Sequence, residues 1–291
     1  MTANAPFFRL VSLGWAQKIA LAILLAAMLG DVPLPVRAAA TEPDDPWPEL
    51  AQALFKDRVL QDGTGLITLE TPYRAEDAAI VPVGLRTTLP PGDTRQVKAF
   101  TLVIDQNPAP VVGTFVIGPN AGLTAIATRV RVDSYTNIHA VAELSDGQLY
   151  VVKTFVKAAG GCSAPAAKTA DDSKISLGQM RLRQFDKSDS PQTDNAGRPL
   201  HEAQIMIRHP NNSGLQMDQV TRLYVPAKFI RDLKVWQGND LILAMDGGIS
   251  ISEDPNIRFN FVPNGAATFS AAATDTDNQV FKGEWPVEPS M

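Results

Sequence analysis

From Leu66 onward, apolar and polar residues alternate along most of the chain with a period of two. This alternation is typical of β-strands that bury one face. In the first half it predicts about seven strands, over residues 66–71, 80–87, 97–104, 111–117, 126–132, 138–144 and 149–156. In the second half it predicts about six, beginning near residue 201 and centred on 203–207, 233–235, 241–245, 257–261, 267–274 and 280–285. Turn residues such as Asp146-Gly147 separate the strands, so each half is predicted to be a β-sandwich.

One stretch before the first strand has a different period. Residues 48–60 place Leu50, Leu54 and Phe55 at helical spacing, and Pro48 is well suited to the first turn of a helix. We therefore expect one short amphipathic helix near the N-terminus, with its apolar face against the first sandwich.

A second stretch, residues 158–200, is rich in Ala, Ser, Asp and Gly and has few apolar residues. This composition predicts a flexible interdomain linker, with room for one helical turn or a short strand inside it. The predicted organisation is a signal peptide, a leader with a helix, a first sandwich, an arm and linker, and a second sandwich, over residues 1–40, 41–65, 66–157, 158–200 and 201–291.

The first forty residues resemble a secretory signal. Arg9 and Lys18 provide positive charge, the apolar run 19–29 has the length of a signal core, and Ala38 to Ala40 form a small-residue cleavage pattern. The run is too short for a membrane span, which needs about 20 residues. We expect cleavage and a periplasmic location. An uncleaved anchor is the alternative, and a lipoprotein anchor is disfavoured because no cysteine follows the run.

The charge balance limits the possible partners. The chain has a formal net charge of −5, and loss of the signal would remove more basic than acidic residues. An acidic protein without a basic patch is a poor match for nucleic acid or an anionic membrane surface. We therefore predict neither kind of partner, and no membrane span after signal removal.

The chain has a single cysteine, Cys162, in the sequence Gly160-Gly161-Cys162-Ser163. A lone cysteine is usually a small buried apolar residue. This one has small, flexible neighbours, which predict instead an exposed thiol on a tether. Exported proteins usually pair their cysteines, so an unpaired one indicates a reactive thiol or an intermolecular bridge. Since no strong activating charge is adjacent, the pattern favours a covalent attachment point over a catalytic nucleophile.

Other candidate chemistry is weak. The three histidines, His139, His201 and His209, lack metal-ligand spacing. Adjacent carboxylates such as Glu76-Asp77 are typical of solvated turns. The sequence predicts no metal site, no cofactor and no enzymatic activity, although His139 or His209 could approach Cys162 in the fold.

Several short motifs give the chain a resemblance to a known family. The first half resembles SoxY, the exported carrier of the thiosulfate-oxidising Sox system, at Ile67–Pro72, Ile80–Val83, Asp105–Pro108, Asp146–Tyr150 and Gly160–Cys162. The second half resembles SoxZ, the partner subunit, at Arg208–Pro210, Ser213–Gly214, Val225–Ile230 and Ser252–Phe259. The whole is similar to fused SoxYZ-like carriers associated with quinoprotein dehydrogenases.

The resemblance implies two immunoglobulin-like sandwiches packed on each other. It also implies that Cys162 carries sulfur intermediates covalently between periplasmic enzymes, with Gly160, Gly161 and Ser163 forming its arm. SoxY ends in a free Gly-Gly-Cys-Gly-Gly arm, whereas here Ser163 and Ala164 replace the last glycines and the chain continues. The arm is therefore expected to be stiffer and tied at both ends.

Two functions follow as hypotheses. The first is a periplasmic carrier that presents a sulfur-containing intermediate on Cys162 to sulfur-oxidising enzymes. The second is a non-covalent accessory module for a periplasmic quinoprotein (PQQ) alcohol dehydrogenase.

Overall fold

The computed structural model describes residues 45–90, 92–165, 176–185 and 192–288. The predicted signal peptide, residues 1–40, lies outside these ranges. From Pro46 onward the chain forms one compact unit. In the described ranges the regular elements are α1 (Trp47–Phe55), β1 (Leu60–Asp62), β2 (Ile67–Glu70), β3 (Val81–Thr87), β4 (Val97–Ile104), β5 (Val111–Ile117), β6 (Ala125–Val130), β7 (Thr136–Leu144), β8 (Leu149–Val156), β9 (Met180–Phe185), β10 (His201–Ile207), β11 (Ile230–Gln237), β12 (Asp240–Gly247), β13 (Asn256–Phe261), β14 (Thr268–Asp275) and β15 (Val280–Pro286).

The strands form two sheets, each of which contains strands from both halves of the chain. One has the order β1-β8-β7-β4-β5-β12-β11-β14-β15, and the other has the order β2-β3-β6-β13-β10-β9. Buried side chains from both sheets belong to a single apolar core. This arrangement confirms the predicted all-β, immunoglobulin-like sandwich fold with a short helix.

The two halves are joined edge to edge in both sheets. β5 pairs with β12 from Gly113 opposite Gly247 to Ile117 opposite Leu243. In the other sheet, β6 pairs with β13. The halves are therefore held together by backbone hydrogen bonds as well as by side-chain packing, which fixes the position of one half relative to the other.

The alternating pattern correctly identifies the faces of the central strands. In β3, Val81, Val83 and Leu85 are buried and their neighbours are more exposed. In β13, Phe259 and Phe261 are buried, as predicted. β15 lies at a sheet edge, and none of its residues is fully buried.

The N-terminal helix is shorter than predicted and is followed by an unpredicted strand. α1 ends at Phe55 because Lys56 adopts a positive φ of 55°. Leu60, predicted as the last residue of the helix, instead begins β1, which pairs in parallel with β8. The ring of Trp47 stacks on the ring of His139 with 3.6 Å between centroids, which attaches the helix to the first half.

The described parts of residues 158–200 differ from the flexible linker that composition predicts. β9 is a six-residue edge strand paired with β10 along its length. The segment 192–200 is folded by backbone bonds around Asp194, whose carboxylate also binds Arg198. Within the described ranges, no helix has the length and apolar character needed to cross a membrane.

Candidate functional site

The segment that contains Cys162 forms a hydrogen-bonded turn against the first half. The amide of Gly160 donates to the carbonyl of Asp133 at 2.8 Å, and the amide of Gly161 donates to the carbonyl of Val132 at 3.0 Å. The hydroxyl of Ser163 donates back to the carbonyl of Gly160 at 3.2 Å. These bonds close the turn immediately after β8 and hold the three predicted arm residues in one conformation.

The two glycines suit this geometry for different reasons. Gly160 has a φ of +78°, in the left-handed region that side chains other than glycine rarely adopt. A Cβ atom on Gly161 would lie 2.0 Å from the carbonyl oxygen of Ala78 and 2.6 Å from that of Val132. The glycines therefore allow the turn to pack closely against the first half, whereas the sequence predicted a flexible tether.

The thiol of Cys162 lies inside the protein. Its residue has 0% relative exposure, so the prediction of an exposed thiol is wrong. The Cys162 amide faces a carboxylate oxygen of Asp133 at 3.3 Å, and its carbonyl accepts a hydrogen bond from the hydroxyl of Ser213. Gln216 donates to the carbonyl of Ala164 at 3.0 Å. The cysteine is thus held between residues of the first half and residues of the second.

The environment of Cys162 suppresses the reactivity of its thiol. Burial, followed by the negative charge of Asp133, raises the pKa of the thiol to about 12, against the opposing effect of the positive charge of Arg131. Because the thiolate is the nucleophilic form, the thiol is protonated and inert near neutral pH in this conformation. The structure therefore shows a protected cysteine.

Arg131 is a site residue that sequence reasoning missed. The alternation over residues 126–132 predicts that Arg131 lies on the polar face of the strand, opposite Val130 and Val132. The strand ends at Val130, however, so the alternation does not extend to Arg131. Its side chain turns inward, is 1% exposed, and donates from Nη1 to the carbonyl of Gly161 at 3.2 Å. Its Nε and Nη2 atoms have no hydrogen-bond partner among the described residues.

Ser213 and Gln216 were also missed as site residues. They belong to a loop between β10 and β11, far from Cys162 in sequence, and both are buried. The amide of Ser213 donates to the side chain of Gln216 at 3.1 Å, which fixes the two side chains relative to each other. Ser213-Gly214 is among the short motifs singled out in the sequence, but only the fold shows that it contacts the cysteine.

The histidines have other partners. Nδ1 of His139 lies 2.9 Å from a carboxylate oxygen of buried Asp105, and Nδ1 of His209 lies 2.7 Å from the side-chain oxygen of Asn211. Burial lowers the pKa of His209 despite its hydrogen bonds. In the described ranges, no group of three or more His, Cys, Asp or Glu side chains is placed to hold a metal ion.

Comparison with known proteins identifies both halves of the chain. Residues 51–162 match the family model described as sulfur oxidation protein SoxY, and residues 190–286 match the one described as sulphur oxidation protein SoxZ. The SoxY match ends at Cys162. The comparison with curated proteins finds no match.

Two solved structures are similar to parts of the chain. One is the sulfur carrier protein SoxY from Chlorobium limicola f thiosulfatophilum, with 24% identity and a TM-score of 0.31 over 38% of this chain and 94% of that one. Another is a superoxide reductase (neelaredoxin) from Ignicoccus hospitalis, with 11% identity and a TM-score of 0.29 over 32% of this chain and 79% of that one. From the two family matches, the chain is a SoxY domain followed by a SoxZ domain, which is the arrangement of a fused SoxYZ-like protein.

Proposed function

We propose that this protein is a periplasmic carrier that holds a sulfur-containing intermediate covalently on the thiol of Cys162 and presents it to sulfur-oxidising enzymes. The observation that carries the proposal is the position of Cys162. It is the one cysteine of the chain, it ends the SoxY match, and it is held against the SoxZ domain by Ser213. The solved SoxY structure is described as a sulfur carrier, in line with this role.

Loading of the carrier requires the thiol to leave its buried position. In an open form the thiol loses its proton, and its sulfur forms a disulfide bond with the outer sulfur of thiosulfate. The two electrons released in this step pass to an electron-accepting enzyme of the pathway. The protein supplies the attachment point and the partner enzymes supply the catalysis, so the chain is not itself an enzyme in this proposal.

In such a cycle, burial protects the thiol of Cys162 while it carries no cargo. A free thiolate outside the cytoplasm is exposed to oxidation and to disulfide exchange. A thiol pKa of about 12 in the buried state keeps Cys162 in its protonated, unreactive form until a partner releases the turn.

The test is the intact mass of the protein isolated from its own periplasm without reductant, beside that of the Cys162→Ser variant. An added mass of sulfur, sulfite or thiosulfate composition on the wild type alone supports the carrier and names its cargo. The same mass measurement shows whether residues 1–40 have been removed. An unmodified wild-type mass, with a normal pathway in cells that produce only Cys162→Ser, contradicts the carrier role.

The buried thiol also favours a second candidate, a non-covalent accessory module for a periplasmic quinoprotein alcohol dehydrogenase. In this proposal the thiol is only part of the packing between the domains. Co-purification with that dehydrogenase, unchanged in Cys162→Ser, would support it, and absence of any complex would contradict it.

A further inference from the structure

The two sheets carry different charged side chains. The described strands of the six-stranded sheet contain two glutamates and no lysine, and their basic residues are Arg86, Arg129, Arg181, Arg183 and Arg258. The strands of the nine-stranded sheet contain one arginine, four lysines and seven carboxylates. In a chain with a formal net charge of −5, the six-stranded sheet therefore concentrates positive charge, all of it on arginine.

The pairing of the strands brings four of these arginines onto one area of the outer face. Gln204 of β10 lies opposite Arg258 of β13 on one side and opposite Arg183 of β9 on the other. Arg181 is two residues before Arg183, and Arg129 lies on β6, on the far side of β13. Neighbouring strands are about 4.8 Å apart, so the backbones that carry these arginines lie within about 14 Å of one another across the sheet.

A cleft of about 380 Å³ opens at this area. Its lining includes Arg129, Arg181, Arg208 and a single carboxylate, Asp254. Asp254 binds Arg208, with 2.9 Å between Oδ2 and Nη1. The side chains of Arg129 and Arg181 form no hydrogen bond or ion pair with any described residue, and that of Arg181 is exposed. The cleft therefore offers two guanidinium groups to an anion from outside.

One aromatic ring orders the neighbouring arginines. The guanidinium carbons of Arg258 and Arg183 lie over the ring of Phe185, at 4.2 and 4.7 Å from its centroid. Such cation–π contacts hold both side chains against the sheet surface. Arg258 also binds Glu202, with 2.6 Å between Nη2 and Oε2, which shows that this surface accepts a carboxylate in paired geometry.

The use of arginine without lysine indicates the kind of partner. Arginine is enriched in protein interfaces, where lysine is depleted, and its planar guanidinium binds carboxylates through two parallel hydrogen bonds. A long polyanion such as nucleic acid would extend beyond this face and meet the negative charge of the rest of the chain. A short acidic segment of a protein would cover the arginines alone.

We propose that the outer face of the six-stranded sheet is a docking surface for an acidic segment of a partner protein, with carboxylates of that segment bound to Arg129 and Arg181 in the cleft. This surface is separate from the role of Cys162 and does not depend on it. The sequence does not reveal the surface, because its arginines come from four strands that only the fold places side by side.

The test measures binding of a dye-labelled hexaglutamate peptide to the purified full chain by fluorescence anisotropy, at low ionic strength, where surface ion pairs are screened least. The variant Arg129→Gln/Arg181→Gln removes the two unpaired guanidinium groups. Each exposed ion pair accounts for up to about fivefold in affinity, so the double variant should bind about tenfold more weakly than the wild type.

The matched control is Lys153→Gln/Lys234→Gln, which removes the same charge from exposed positions of the nine-stranded sheet. This control should bind hexaglutamate with an affinity close to that of the wild type. Equal weakening in both double variants overturns the inference, because net charge alone would explain it. Absence of binding to the wild type, or unchanged binding to the arginine variant, also overturns it. Tighter binding of a hexathymidylate oligonucleotide at the same arginines overturns it in favour of a nucleic-acid partner.

A second measurement uses only wild-type protein and so does not depend on how the variants fold. Hydroxyphenylglyoxal modifies accessible arginines, and peptide mass spectrometry identifies each modified position. Hexaglutamate should slow modification of Arg129 and Arg181 but not of Arg231, which lies on the other sheet. Equal protection of Arg231, or no protection of Arg129 and Arg181, overturns the inference.

Discussion

Replacement of Gly161 by alanine should release Cys162 from its buried position. The new Cβ would lie 2.0 Å from the carbonyl oxygen of Ala78 and 2.6 Å from that of Val132. Both obstacles are backbone atoms, which cannot rotate away as a side chain can. We therefore expect the turn to lift away from the first half while the two sheets remain folded.

The effect on the thiol can be worked from its pKa. While the turn is packed against the first half, the pKa of Cys162 is about 12, and movement of the turn into solvent should return this pKa towards 9.0. Three units correspond to a thousandfold increase in thiolate at a pH below both values. A less basic thiolate is less nucleophilic, with a Brønsted slope of about 0.4–0.5, so the net gain in reactivity is about 30- to 60-fold. Greater access to the thiol would add to this gain.

The assay is the rate of alkylation by iodoacetamide as a function of pH, with the apparent thiol pKa read from the profile. Gly160→Ala is the matched control, because its Cβ meets only Ser163 Oγ, at 4.0 Å, although its positive φ is strained. In Gly160→Ala, the apparent pKa of the Cys162 thiol should stay well above 9.0. A Gly161→Ala protein with the wild-type profile would refute the close packing of the turn against the first half. Equal changes in both variants would refute the role of the Ala78 contact.

Three further changes test other contacts. Ser213→Ala removes the hydrogen bond to the carbonyl of Cys162, worth about 1 kcal/mol, and should speed alkylation about fivefold. An unchanged rate would contradict a role of this hydrogen bond in holding Cys162 in its buried position. Because the folded thiol pKa is raised, Cys162 stabilises the fold fully below pH 9, and this contribution is lost as pH rises towards 12. The free energy of unfolding of the wild type should therefore fall relative to that of Cys162→Ser as pH rises from 9 towards 12. A difference that stays constant over this interval would contradict the burial of the thiol. Phe259→Ala or Phe261→Ala should reduce stability by about 3–5 kcal/mol in thermal or denaturant unfolding, since both rings are buried, and unchanged melting of both would show that these faces are misplaced.

The short elements were the least predictable part of the fold. β1 has three residues and forms through pairing with β8, so its sequence has no period of its own to detect. The helical spacing of residues 48–60 continues past the end of α1, which is set by the positive φ of Lys56. Local pattern thus located the long strands and the start of the helix, but not these boundaries.

The candidate site was only partly predictable. The sequence identified Cys162 and its two glycines, because a single cysteine beside Gly160-Gly161 is visible without a structure. The prediction of an exposed thiol on a flexible tether was wrong, because small residues suit a flexible tether and a closely packed turn equally well. The deciding contact, between Gly161 and the carbonyls of Ala78 and Val132, joins residues distant in the chain.

The sequence alone therefore determined what depends on neighbours in the chain: the period-two strands, their buried faces, the all-β class and the position of the one cysteine. The tertiary structure decided what depends on contacts across the chain. It joined the two halves into shared sheets, buried Cys162 between Asp133 and Ser213, and turned Arg131 inward beside it. Side-chain period records which face of a strand is apolar, but desolvation and charge at a thiol are set by residues that only folding brings together.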